Sequence, residues 1–229
     1  MKAEATDSLG ERRTTAEELF TVLRGDIESL KLIPGTKLSE AEVARHYNVS
    51  RQPVREAFIR LDNLSLVKVQ PQKATVVKKI SISDIVTSRF VRTSVEVEVA
   101  RAACANYRGE KDDEFKTNLA EQKVCIEKGD FKKLKHLDYR FHSLICNIAD
   151  CDFAFDVITD CKTKVDRLCT IELSNSNGAS HVYSDHLAIY ENLRDNNEDM
   201  LIKAVRSHLS RLDDTIKMAQ LEHADFFEK

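Results

Sequence analysis

The stretch "LSEAEVARHYNVSRQPVREAFIRLD", residues 38–62, decides the fold. Ser39 and Glu42 form a capping box ahead of Val43, Ala44 and Tyr47 at helical spacing. Asn48 or Val49 ends that short helix. Ser50 caps the next one, whose first turn tolerates Pro53. Val54, Ala57, Phe58 and Leu61 give this second helix an apolar stripe, while Arg51, Gln52 and Arg55 crowd its other side near the start. Two short helices in tandem with donors opening the second are the pattern of a helix-turn-helix, whose second helix enters the major groove. Arginine forks onto guanine O6 and N7, and glutamine pairs with adenine. Taken alone, Arg51 and Arg55 read equally well as a solvated helix face; their surroundings argue against that.

On the N-terminal side, residues 14–31 (TTAEELFTVLRGDIESLK) open with a Thr-x-x-Glu capping pattern and align Leu19, Val22 or Leu23, Ile27 and Leu30, hence a helix. Pro34-Gly35 makes a turn. On the C-terminal side, the β-prone runs 66–69 and 75–78 flank Pro71-Gln72-Lys73-Ala74, a hairpin whose tip places Lys73 within reach of phosphate or the minor groove. Three helices and a hairpin make a winged helix-turn-helix. Residues 37–79 carry nine Lys/Arg against four Asp/Glu, whereas residues 80–229 carry 21 against 27. A basic module joined to an acidic one implies that only the first meets a polyanion. Residues 1–13 have no apolar segment, which excludes a secretory signal and predicts a mobile leader. No run of about 18 apolar residues exists, so no membrane span is expected. A cytoplasmic protein with six reduced cysteines follows.

From residue 81 onward the pattern is helical, with helices expected at 82–107, 111–128, 131–149, 152–174, 181–195 and 197–223, and Gly109, Gly129 and Gly178 near the breaks. The expected domains are a leader (1–13), a winged helix-turn-helix (14–80) and an all-α domain (81–229). In "HLDYRFHSLICNIA" (136–149), Asp138 and His142 stand four apart and project together beside the core-facing stripe. His186 heads Ile189, Tyr190 and Leu193; His208 lies within Leu201, Val205, Leu209 and Leu212. One carboxylate and three imidazoles on inward helix faces suit a first-row divalent ion, Zn, Ni or Mn, with positions left open for water or a carboxylate. For any single histidine, a hydrogen-bonded core residue is the simpler reading. No H-E-x-x-H motif is present.

Residues 31–77 closely resemble the N-terminal domain of GntR-family bacterial transcription regulators, through "PG…LSE…VA…VSR.PVREA" over 34–57. The resemblance implies operator contacts at Ser50, Arg51, Gln52 and Arg55. Two positions depart from it: Ala74 stands where the wing has a glycine, and Gln52 where a small hydroxyl residue follows Ser-Arg. The spacing Asp-x3-His, then His, then His 22 residues on, resembles the metal site of the FCD effector domain of the FadR subfamily. The six-helix count resembles its shorter, VanR-like branch. In "FVRTSVEVEVA" (90–100) the resemblance points Arg92 of an R-x3-E pattern, with Glu96, into the effector cavity; the plainer alternative is a surface ion pair. After His142 the family often has Asn-Pro, where this chain has Cys151-Asp152-Phe153. The expectation is a mainly α protein, a winged helix-turn-helix plus an all-α six-helix, FCD-like bundle. It would be a metabolite-responsive, non-enzymatic regulator whose homodimer binds palindromic double-stranded operator DNA, with affinity modulated by a small carboxylate at the metal. One alternative is a metal-dependent hydrolase. The basic helix-turn-helix, the lack of a second acid/base partner and the lack of a Gly-rich loop oppose it. A DNA-binding regulator with a purely structural metal is the other.

Overall fold

Leu19, Leu23 and Ile27 recur at one face of α1 (Asp7–Glu28) and are buried, whereas Val22 is exposed, which settles the register of that stripe. The computed structural model describes residues 7–173 and 176–228. The first residues of the expected leader lie outside that range, but from Asp7 the chain is helical, so the Thr-x-x-Glu pattern sits inside α1 and does not start it. The helix also stops earlier than expected: Leu30 adopts a left-handed φ of 59°.

Next come β1 (Lys37–Leu38), α2 (Glu40–His46), α3 (Arg51–Asn63), β2 (Val67–Lys68) and β3 (Thr75–Val77). Asn48 makes the sharp turn between α2 and α3 with φ 52°, a conformation its short polar side chain tolerates. Ser39 and Ser50 occupy the N-cap positions of α2 and α3, although neither side chain makes a capping bond. The strands form an antiparallel sheet in the order β1-β3-β2, so the expected hairpin has a third strand at its edge. Val54, Ala57, Phe58 and Leu61 of α3 pack with Leu23 and Ile27 of α1 and with Val67 and Val77 of the sheet.

Among the described residues seven α-helices follow: α4 (Ile82–Asn106), α5 (Asp112–Lys128), α6 (Phe131–Ile148), α7 (Asp152–Leu173), α8 (Ser176–Arg194), α9 (Glu198–Ser210) and α10 (Leu212–Glu222). Two details differ from the expectation. The last predicted helix is two, separated at Arg211. Helix α8 begins at Ser176, so Gly178 lies within it and not at a break. The expected end of the preceding helix, at residue 174, lies outside the described residues. Gly129 does end α5, with φ 67°, and Asp130 then accepts from the Lys133 amide to cap α6. That turn starts the helix that carries Asp138 and His142.

The chain divides into two compact units: the described residues through Ile82 together with those from His223 onward, and Ser83–Glu222. The C-terminal residues therefore belong with the first unit and not with the helical one. Ile80 pairs in parallel with Phe227, exchanging backbone hydrogen bonds of 2.8 and 3.0 Å with Phe226 and Glu228. The core of the second unit centres on Phe115, Phe141, Ile158, Ile189, Leu193 and Leu201. All six cysteines are free thiols, four of them buried.

Candidate metal centre and nucleic-acid interface

The helical stripes bring Asp138 and His142 of α6, His186 of α8 and His208 of α9 together, with one ligand atom of each within 4.8 Å of the others. All four are inside the second unit: they are 8%, 2%, 0% and 9% exposed respectively. Asp138 Oδ1 stands 3.4 Å from His186 Nε2 and 3.7 Å from His142 Nε2. The His142 and His208 rings lie 5.4 Å apart, and those of His186 and His208 4.9 Å. Phe141 stacks flat on the His186 ring at 4.2 Å and limits its rotation.

The far nitrogen of each imidazole meets an oxygen. His186 Nδ1 is 3.0 Å from Gln122 Oε1, and a chain of bonds decides which atom donates. The Leu137 carbonyl can only accept, so Asn118 presents its NH₂ to it at 3.0 Å. Asn118 Oδ1 then accepts from Gln122 Nε2 at 2.6 Å, which leaves Gln122 Oε1 facing His186. His186 Nδ1 must therefore carry the proton, and its Nε2 offers a lone pair. That Nε2 is buried and has no hydrogen-bond partner. A buried polar atom without a partner is uncommon and calls for an explanation; a metal ion held there would supply one. His142 Nδ1 lies 2.8 Å from Glu96 Oε2, close but off the hydrogen-bonding axis. His208 Nδ1 lies 3.5 Å from Asp185 Oδ2, likewise without forming a hydrogen bond. An oxygen behind each metal-facing imidazole is the usual way such ligands are oriented and made more basic. The residues present fit a divalent ion.

Three cations stand behind the carboxylates. Lys162 of α7, itself buried, bonds Asp138 Oδ2. Arg92 bonds Glu96 at 2.5 Å, and its Nη2 comes within 3.2 Å of His142 Nε2. Arg211 grips Asp185 with two nitrogens. Arg92 and Glu96 are thus an i,i+4 pair buried beside the ligand set, not a surface pair. Burial alone would raise the Asp138 carboxyl; the Lys162 ammonium and the two nearby imidazoles override this and hold it well below the usual range. Burial pushes His186 down to about 3, favouring the neutral ring that a metal needs. His142 shifts up, because the Glu96 and Asp138 charges outweigh its burial. Beside the site lies a cavity of about 10 Å³ with room for one water molecule, bounded by Glu96, His142 and apolar side chains such as Ile145 and Val205.

In the first unit, Ser50, Arg51, Gln52, Arg55 and Lys73 are all exposed. Arg55 forks onto Glu40 at 2.9 and 3.1 Å, which raises its pKa and lowers that of Glu40. Gln52 donates to Glu56 at 2.9 Å. The Arg51 side chain makes no hydrogen bond among the described residues. At the wing tip, Gln72 takes the left-handed turn with φ 58°, two residues before the position where the family has glycine.

A family model described as bacterial regulatory proteins, gntR family, matches residues 15–77, and the FCD domain model matches residues 89–211. The chain belongs to the GntR family and carries an FCD domain. This GntR regulator is 33% identical over 213 residues to the HTH-type transcriptional repressor RspR of Escherichia coli strain K12, a match covering 93% of each. It shares its fold with McbR/YncC of E. coli (TM-score 0.73, 16% identity, 91% of this chain and 98% of that one). A GntR regulator from Rhodococcus sp. RHA1 is similar (TM-score 0.72, 18% identity, 90% and 97%). The relative RspR is by name a transcriptional repressor, and among the described residues no helix is long and apolar enough to cross a membrane.

Reading the sequence of this regulator missed Asn118, Gln122, Lys162, Asp185 and Arg211. Asn118 and Gln122 left a trace, as polar residues on the same face of α5 as the buried Phe115 and Leu119. Lys162 left another: Ile158 and Val165 flank it at helical spacing and both are buried.

Proposed function

We propose that the chain is a metabolite-responsive DNA-binding regulator. It acts as a homodimer on a palindromic operator, with affinity set by a small carboxylate at a divalent-metal centre (Zn, Ni or Mn) in the FCD domain. The observation that carries this reading is the convergence of Asp138, His142, His186 and His208 with an oxygen behind every imidazole. When bound, the ion supplies a Lewis-acidic anchor for an oxygen ligand. The chain's own residues do the rest. Glu96, Gln122 and Asp185 orient the rings, and Arg92 offers guanidinium donors suited to a carboxylate. In the DNA-binding unit, Ser50, Arg51, Gln52 and Arg55 open the helix that reads the major groove, and Lys73 contacts the backbone. Val86 and Phe90, one turn apart on α4, are 57% and 75% exposed and give a second copy an apolar strip to cover. The carboxylate must favour one dimer geometry over the other, or it shifts nothing.

Fluorescence anisotropy on a palindrome selected from randomised duplexes tests this reading with metal-loaded protein and a panel of carboxylates. At least one carboxylate should change DNA affinity, and Arg92→Ala should abolish the response. Equal affinity with and without every carboxylate would defeat the reading. The small cavity favours one rival, a purely structural metal, in which chelation lowers the melting temperature and no carboxylate has any effect.

A further inference from the structure

Lys162 is an ammonium placed where a helix would ordinarily put an apolar side chain. It is 3% exposed, and its neighbours on the same face of α7, Ile158 and Val165, are buried at 1% each. Burying such a charge is costly unless it is matched. Lys162 is matched by Asp138 Oδ2 and also sits 4.5 Å over the Tyr139 ring. Tyr139 is held in turn by donating its hydroxyl to Asp166 at 2.9 Å. The ammonium is therefore fixed on the outer oxygen of Asp138, while Oδ1 faces His142 and His186.

This arrangement has a consequence for charge. The site's carboxylates are each paired with a protein cation: Asp138 with Lys162, Glu96 with Arg92, and Asp185 with Arg211. With neutral imidazoles these pairs cancel, so a divalent ion placed there keeps its full double positive charge in a buried setting. A site with the same ligands and no lysine would present only a single excess charge. The compensation has to come from the exogenous ligand.

We propose that Lys162 sets the charge class of the effector: by holding Asp138 and cancelling its charge, it makes the metal centre select a dicarboxylate over a monocarboxylate. This rests on the carboxylate reading above. Lys162 acts through Asp138 and the ion, as a positioning and specificity-determining residue.

Isothermal titration of full-length, metal-loaded protein provides the test, using pairs matched in carbon number: acetate and oxalate, butyrate and succinate, at one pH and ionic strength. For the wild type, the dicarboxylate of at least one pair should bind about tenfold or more tightly than its partner. Lys162→Met should collapse that ratio towards one while tightening metal uptake in the absence of any anion. Lys162→Arg should preserve the ratio. A merely structural lysine would weaken the metal and both anions together and leave the ratio alone. If Lys162→Met fails to fold, the wild-type and Lys162→Arg ratios decide. No advantage for either dicarboxylate in the wild type overturns the proposal, as does an unchanged ratio in folded, metal-loaded Lys162→Met. If neither class of anion binds at all, the wider carboxylate reading falls as well; if both bind equally, only the role of Lys162 does.

Discussion

Gln122 shows how a single side chain can decide what a histidine does. Its orientation, traced back through Asn118 to the Leu137 carbonyl, obliges His186 to present Nε2 as a lone pair. Gln122→Leu removes that oxygen while keeping the volume roughly constant. It should weaken metal affinity by about 10–100-fold, as loss of an outer-shell partner does, with little change in helix content. Competition against a chromophoric chelator measures the effect, and an unchanged affinity would mean that Gln122 only fills space. At this scale the four clustered side chains were legible and their supports were not. Asp138, His142, His186 and His208 each sit on an inward stripe that periodicity reveals. Gln122 lies 64 residues from the ring it orients, and Lys162 is 24 from the carboxylate it holds; local spacing carries no information about either pairing.

The elements that position the site depend on their ends. The left-handed Gly129 closes α5, and the Asp130 carboxylate satisfies the Lys133 amide at 3.0 Å, setting where α6 begins. Asp130→Ala should cost about 1 kcal/mol in urea unfolding, whereas an unaltered midpoint would show that packing alone fixes α6. In the DNA-binding unit, Arg51 is unencumbered while Arg55 is already held by Glu40. Arg51→Ala should therefore lose about 1–3 kcal/mol of operator affinity, and Arg55→Ala less. Binding measured at several salt concentrations checks the order, which the reverse ranking would contradict. The tandem helices and the wing were readable because caps, turns and periodicity agree there. Strand β1 was not, since two residues make no pattern and its pairing with Thr75 and Val76 is a tertiary event. Nor was the break at Arg211, where φ and ψ stay helical and only the hydrogen-bond ladder is interrupted.

At the scale of the molecule, the ligand set ties α6, α8 and α9 together, with α4, α5 and α7 supplying the second layer of partners. An ion that binds only this folded arrangement stabilises it by mass action, so metal should raise the melting temperature in a concentration-dependent way. Thermal unfolding of stripped and reloaded protein checks this; a flat response would place the ion outside the folded core. The charge balance sets residues 37–79 apart from residues 80–229, and the described chain does divide into two compact units after Ile82. The return of residues 223–228 to the first unit was not legible, because a short terminal segment pairs through its backbone and carries no side-chain signature. The central claim is that these four side chains form a metal centre. Its most direct test is calorimetric titration of chelator-stripped protein with Zn, Ni or Mn, alongside elemental analysis of protein purified without chelator. The account predicts about one ion per chain for one four-ligand set, abolished in His142→Ala and in His208→Ala. Absence of binding, or equal binding by the parent and both variants, would contradict it.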